Sequence, residues 1–301
     1  MNDVKAPCDD ATAVKRTGPL AIASRLALAL GRNMLRNLAQ WCRVLARPPR
    51  ARNPPLPAGA ISAIIVALVA VVPMMFLVDA RATDWAAHRP AWFTGAFEQI
   101  TNFGKSGWFL VPFGCIVLCL AALASPALPR MTRGVFAALA ARFGFLFLAI
   151  AAPGLFVSIV KRLIGRARPF VGGHDDPFAY MLFVWRPEYA SMPSGHATNV
   201  AAAAIAIGAI WPRTRAVIWL YALVIMFSRI VVFAHYASDV VAGALVGTLG
   251  AVLVRRFFAA RRLVFSARDL SVYPGPSLRR IWTAARRVIP RRRQSLRAPN
   301  P

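Results

Sequence analysis

The chain has 301 residues, 58% of them hydrophobic, and carries 37 Lys and Arg against 11 Asp and Glu, a formal charge of +26. The apolar residues are gathered in long runs, which points away from a soluble globular domain and toward an all-α, polytopic membrane protein. So basic a chain would suit nucleic acid, but its arginines flank the apolar runs or fill the two tails, so a bilayer with anionic lipid is the better partner and nucleic acid is disfavoured.

Residues 1–57 read as a basic cytoplasmic tail. Arg25, Arg32, Arg36, Arg43 and Arg47 fall in one narrow stripe at about 100° per residue, and Leu28, Leu35, Leu38 and Leu45 lie on other faces. The pattern predicts an interfacial helix on the inner leaflet, with a solvated charged helix as the alternative. The stretch from Leu20 to Leu30 is interrupted by Arg25 and has no clean cleavage site after it, so no secretory signal is expected. Residues 48–57, PPRARNPPLP, predict a Pro-rich linker.

Six apolar segments follow, near 58–78, 106–124, 136–160, 197–211, 215–233 and 238–254. A bilayer core of about 30 Å needs roughly 20 helical residues, so the expected fold is a six-transmembrane-helix bundle over 58–255, its fourth helix short. Trp85, Trp92 and Trp108, in and after the first outer loop, read as interface anchors, and His88 and His174 as loop histidines. Cys115 and Cys119 read as small hydrophobes within a span. With Cys8 and Cys42 they form no CxxC pair, so neither a disulfide framework nor a zinc site is implied. Residues 256–301 form a second basic tail, read as disordered from 264 onward, with Arg291, Arg292 and Arg293 near its end.

Basic residues set the orientation. The two tails, counted to 57 and from 255, loop 125–135 and the 212–215 turn hold 27 Lys and Arg; loops 79–106 and 161–195 and the 229–237 junction hold 9. Within about 20 residues of the spans the first set still leads. Both termini are therefore expected in the cytoplasm, with the alternate loops outside. The outer set remains oddly basic, because Lys161, Arg162, Arg166 and Arg168 crowd one span end. A phosphate is the natural group to hold them there.

Three polar clusters break the apolar pattern, all on that outer face. In KRLIGRARP (161–169), Lys161 and Arg168 are seven apart, so both project to one side if the helix continues; Arg forks match phosphate oxygens and Lys adds a point charge. In PSGH (193–196), Ser194 can cap a helix, Gly195 permits close approach, and His196 stands beside the free N–H groups, placed to donate a proton. In SRIVVFAHYASD (228–239), His235 and Asp239 are spaced to share a helical face, the carboxylate fixing the tautomer and leaving the other nitrogen free to attack. Arg229 lies at the membrane boundary, where an ionisable residue is by default functional. Each cluster alone suits a bland reading: a snorkelling basic belt, a simple cap, a zinc half-site without its other half. Together they read as a phosphate site.

The spacings Kx6RP, PSGH and SRx5Hx3D resemble the signature of the type-2 phosphatidic acid phosphatase family, which shares its active site with the vanadium haloperoxidases. The resemblance covers about 58–255. It implies that His235 is the nucleophile and forms a phosphohistidine, that Asp239 orients it, and that His196 is the general acid. It implies that Lys161, Arg168, Ser194, Gly195 and Arg229 bind the phosphoryl oxygens, with no metal and no cofactor. The function expected is hydrolysis of a lipid phosphate or diphosphate at the periplasmic face of a bacterial-type inner membrane. Undecaprenyl diphosphate is favoured slightly over phosphatidylglycerol phosphate and phosphatidic acid. Transfer of the phosphoryl group to a lipid or sugar acceptor is the alternative, followed by a catalytically silent lipid-binding or transport protein. A haloperoxidase is disfavoured by the surrounding spans.

Overall fold

The structure, a computed structural model, describes residues 19–171 and 176–288. Among these the regular elements are helical, with two isolated β-bridges, Arg166–Tyr180 and Phe265–Val272. The helices are α1 (Pro19–Ala46), α2 (Ala60–Leu77), α3 (Asp79–Ala87), α4 (Ala91–Asn102), α5 (Gly107–Leu123), α6 (Arg130–Ile164), α7 (Gly195–Ile210), α8 (Arg215–Val231), α9 (Ala237–Ala260) and α10 (Leu278–Val288). Each expected span has its helix, in α2 and α5–α9. Among the described residues, five segments are long and apolar enough to cross a bilayer. The remaining helix, α7, has 16 residues, about 24 Å at 1.5 Å per residue, and falls short of a full span.

The short helix is the centre of the bundle. Ala197, Val200 to Ala203 and Ala206 of α7 are completely buried, enclosed by α6, α8 and α9. A helix wrapped by protein has no need to match the bilayer thickness. Alanine keeps it thin enough for its neighbours to approach, which is how helices associate where lipid tails remove the hydrophobic drive. Gly243 and Gly247 of α9 complete the fit: a Cβ on either would run into the backbone carbonyls of Ser194 and Thr198. The contact lets the Ser194 N–H donate to the Asp239 carbonyl at 3.0 Å, so two of the polar clusters meet through backbone. On α2, by contrast, Ile61, Ile65, Val66, Val69 and Phe76 are exposed, which in a membrane protein means facing lipid.

Local structure departs from expectation at two clusters. The α6 helix does not continue to Arg168. It ends at Ile164 because Gly165 takes the left-handed conformation (φ 63°) and its N–H closes on the Lys161 carbonyl. Lys161 is thus in the last turn and Arg168 in the following loop, its N–H bonded to the Glu188 carbonyl at 2.8 Å. His235 likewise precedes α9 and shares no helical face with Asp239. After α8, Phe233 turns left-handed (φ 58°), and the N–H groups of Ala234 and His235 return to the Arg229 carbonyl at 3.2 and 3.3 Å.

The flanking regions are docked on the bundle. On α1, Asn37 Nδ2 donates to the carbonyls of Ala121 and Ala124 at the end of α5, and Trp41 and Leu45 pack on the core. The Pro-rich linker is pinned to the end of α9, where Arg50 N–H and Ala51 N–H donate to the Ala260 carbonyl. The reading of residues 264 onward as disordered does not hold for 264–288. Phe265 is fully buried, and α10 sets Ile281, Ala284 and Val288 against Val135 and Phe136 of α6 while Arg279, Arg280 and Arg286 are exposed and Arg287 Nη1 donates to Thr132 Oγ1 of α6 at 3.2 Å. Composition reports the arginine side of that helix and hides its apolar stripe. The ends of both tails, including Cys8 and Arg291 to Arg293, lie outside the described residues, as does His174. Trp92 and Trp108 are exposed, as interface anchors would be. Trp85 is not: it is half-buried between Phe93 and Phe227, with the Arg89 guanidinium 4.6 Å from its ring centre. His88 is exposed and bonds locally to the Asp84 carbonyl.

Candidate active site

The end of α6, the starts of α7 and α9 and the end of α8 come together at one end of the bundle, bringing all eight expected site residues to one place. Ser194 occupies the N-cap of α7, but its hydroxyl makes no capping bond. It is buried without a partner. So are Arg168 Nε, His196 Nε2 and Arg229 Nε. An unsatisfied buried polar atom costs about 1–3 kcal/mol, and four on three motifs at one helix start mark a place for a ligand rich in acceptors. The N–H groups of Gly195, His196 and Ala197 add donors without intrahelical acceptors. Arg229 is steered by α4, with Nη1 donating to Thr101 Oγ1 at 2.6 Å. Arg168 and Arg162 lie within electrostatic reach of Lys161. Around His196 the reach takes in Arg229, His235, Lys105 and Arg168. Gly104 packs against that ring so closely that a Cβ there would lie 2.8 Å from Cδ2.

Behind these groups runs a buried network that the motifs did not announce. Asp239 Oδ2 is 3.7 Å from His235 Nδ1, too long for a hydrogen bond. Ser191 fills the gap: its Oγ donates to Asp239 Oδ2 at 2.5 Å and lies 3.4 Å from His235 Nδ1, positioned to accept that ring's N–H. Asp239 Oδ2 also accepts the Tyr236 N–H at 3.0 Å, and Oδ1 accepts Arg166 Nη1 at 2.6 Å. Arg166 Nη2 in turn bonds Asp79 Oδ2 at 2.7 Å, and Asp79 takes both the N–H and the hydroxyl of Ser238. Arg166, Asp79, Asp239, Ser191 and Ser238 are all 0% exposed. The Arg166 guanidinium also lies 4.4 Å from the Tyr236 ring centre. Arg166, read as a fourth phosphate-facing cation, instead faces two carboxylates. A lone Asp79 just past an apolar span was the sequence signal for its second partner.

The electrostatics follow from burial. His235 is held down at about 4, first by burial and then by the Arg229 and Arg168 charges, against the opposing pull of Asp239. Its imidazole is therefore neutral at physiological pH, and no protein hydrogen bond occupies Nε2 among the described residues. Burial lowers Arg168 as well, partly offset by Asp239 and Glu188. For Arg166 burial also acts downward, but Asp239 and Asp79 outweigh it and the net shift is upward.

A helical membrane bundle with a cationic, donor-rich cluster at one end and an uncharged imidazole beside it is suited to receive a phosphoryl group. The sequence model of the PAP2 superfamily matches residues 142–263, which hold all three motifs. The chain is 33% identical over 204 residues to a lipid A 1-phosphatase of Rhizobium johnstonii, covering 67% of this chain and 82% of that one. It is 35% identical over 157 residues to a decaprenylphosphoryl-5-phosphoribose phosphatase of Mycobacterium tuberculosis, covering 51% and 75%. A transmembrane PAP2-type phosphatidylglycerolphosphate phosphatase of Bacillus subtilis superposes with a TM-score of 0.48 at 19% identity, covering 65% of this chain and 94% of that one. The chain belongs to the PAP2 superfamily, the type-2 phosphatidic acid phosphatases, and within it to the multi-pass membrane lipid phosphate phosphatases.

Proposed function

We propose that the protein hydrolyses a phosphate monoester carried on the sugar of a membrane lipid, through a phosphohistidine on His235. The observation that carries this reading is the set of four partnerless buried groups, Arg168 Nε, Ser194 Oγ, His196 Nε2 and Arg229 Nε, on residues gathered about His196. They offer donors to a tetrahedral anion, with Lys161 and the N–H groups at Gly195 completing the cradle. His235 Nε2 attacks phosphorus while the P–O bond to the sugar breaks. His196, favoured in its protonated form by the incoming dianion, gives its proton to the departing oxygen. Positive charge that develops on His235 is stabilised by Asp239 through Ser191. Water then attacks the phosphohistidine, His196 takes a proton from it, and inorganic phosphate leaves. The cations do the work that a metal would otherwise do.

The substrate class rests on the relatives. A lipid A 1-phosphatase and a decaprenylphosphoryl-5-phosphoribose phosphatase act on different lipids, yet in both the phosphate sits on a sugar. The reading shifts preference from undecaprenyl diphosphate toward such glycolipid phosphates. The basic-residue count supports a cytoplasmic location for both termini and an extracytoplasmic site, and a reporter fused after Pro301 that reads outside would reverse that orientation. The main experiment is phosphate release by the purified protein in detergent. Lipid A 1-phosphate, decaprenylphosphoryl-5-phosphoribose, undecaprenyl diphosphate, phosphatidylglycerol phosphate and phosphatidic acid would be compared by kcat/KM. The two sugar phosphates should lead; preference for undecaprenyl diphosphate or phosphatidic acid would remove the sugar from the proposal.

A further inference from the structure

The end of the bundle opposite the active site holds a cavity of about 490 Å³ between α1, α5 and α6. Its walls are apolar, with Leu120, Phe136 and Leu263 among them, and its polar side chains include Arg36, Asn37, Gln40 and Arg133, of which Asn37 is already bonded to the Ala121 and Ala124 carbonyls. Cavities of roughly 300–1,000 Å³ with apolar walls and a few convergent polar groups are typical of small-molecule sites. Neither guanidinium has an acidic partner: the ion pairs among the described residues all lie at the other end. The one acidic residue described at this end, Asp269, is engaged by Ser271. Arg36 makes one long bond, 3.4 Å, to the Ala124 carbonyl.

The position of the cavity says what could fill it. Arg133 is 28 residues before Lys161 on the same helix, so the two are about 42 Å apart along α6. That is the thickness of a bilayer including its headgroups, about 40–45 Å. With Lys161 at one headgroup level, Arg133 is at the other, and the apolar walls lie where acyl chains begin. A ligand here must be anionic at the rim and hydrocarbon inside.

We propose that this cavity binds an anionic glycerophospholipid of the leaflet opposite the active site. Arg36 and Arg133 hold its phosphate, Gln40 meets the glycerol hydroxyls, and a chain enters between α1 and α6. Bound in this way the lipid supplies the missing counter-ion and fastens α1 to the bundle.

The test is native mass spectrometry of the full chain in detergent, titrated with phosphatidylglycerol or with phosphatidylcholine of the same chains. Phosphatidylglycerol is a diester and offers no monoester to the catalytic site. One tight phosphatidylglycerol adduct is expected, and Arg36→Gln/Arg133→Gln should weaken it roughly 30-fold. Ala137→Phe, which fills the cavity from an exposed lining position while keeping both guanidiniums, should lose the adduct with unchanged thermal unfolding. Arg168→Gln should retain it, because that side chain is at the far end. Equal binding of phosphatidylcholine, or full retention of phosphatidylglycerol by either cavity variant, overturns the proposal.

Discussion

Replacing Arg166 with methionine tests whether the buried network behind His235 is held by charge. The guanidinium lies 2.7 Å from Asp79 and 2.6 Å from Asp239, with all three groups completely buried. At an effective dielectric constant of about 20 each pair attracts by roughly 6 kcal/mol, much of which offsets desolvation. Arg166→Met would remove the cation and leave two carboxylates in one dry cluster, of which only one can stay ionised. Breaking a buried pair in this way typically costs about 3–5 kcal/mol. Asp79→Asn is milder, because the Arg166–Asp239 pair survives and Asn can still accept from Ser238; the loss of one charged hydrogen bond is worth about 1.5–3 kcal/mol. At about 2–4 °C per kcal/mol, Arg166→Met should lower the detergent melting temperature by roughly 6–20 °C and Asp79→Asn by less. The double variant should be more stable than Arg166→Met alone, because it carries one orphaned carboxylate fewer. Thermal unfolding of wild type and the three variants measures that coupling, expected at about 0.5–3 kcal/mol. Strictly additive losses, or Asp79→Asn as the worst of the three, would refute the charge argument. Below its melting temperature Arg166→Met should lose kcat rather than KM, since Arg166 is engaged with Asp239 and Asp79 and not with the unpartnered groups at the start of α7.

Three further outcomes follow from the geometry. His196→Ala should lose about 10²–10⁴-fold on an alkyl phosphate and recover much of that on nitrophenyl phosphate, whose leaving oxygen needs no proton; equal losses on both would remove His196 from the leaving-group role. Turnover should persist in EDTA, whereas abolition by EDTA with rescue by a divalent ion would replace the cation mechanism. Because burial holds His235 near 4 rather than 6.5, it is already neutral above about pH 5. The acid limb of kcat/KM should therefore follow the substrate's second phosphate ionisation, about 6, and move with it from one substrate to another. A limb fixed near 6.5 for every substrate contradicts that ordering.

The spans and the three motifs were legible because each rests on local spacing: runs of apolar residues, and polar groups interrupting them at helix ends. What was hidden depends on partners far along the chain. Arg166 and Asp79 are 87 positions apart, and Ser191 and Asp239 are 48 apart, so no local pattern links them. Arg166 was visible as a charge, but its direction is set by Gly165, which ends α6 and turns the loop under α9. The same glycine explains why the expected two-turn alignment of Lys161 with Arg168 fails. Conversely, α7 looked too short to span, and its length becomes intelligible only once α6, α8 and α9 are seen to enclose it. The second tail misled for a compositional reason: its arginine-rich run read as disordered, while Ile281 and Ala284 supply just enough apolar surface to dock α10; on α1, read as a helix at the inner leaflet, Trp41 and Leu45 do the same.

The central claim is that phosphorus passes through His235, and trapping the intermediate tests it most directly. Purified protein would be mixed with a lipid phosphate labelled at phosphorus, quenched in alkali within the first turnover, digested and mapped. Label is expected on the peptide containing His235, stable in alkali and lost in acid, and absent from His235→Ala, which should also be inactive. Label on another residue, or turnover by His235→Ala near the wild-type rate, would contradict the account.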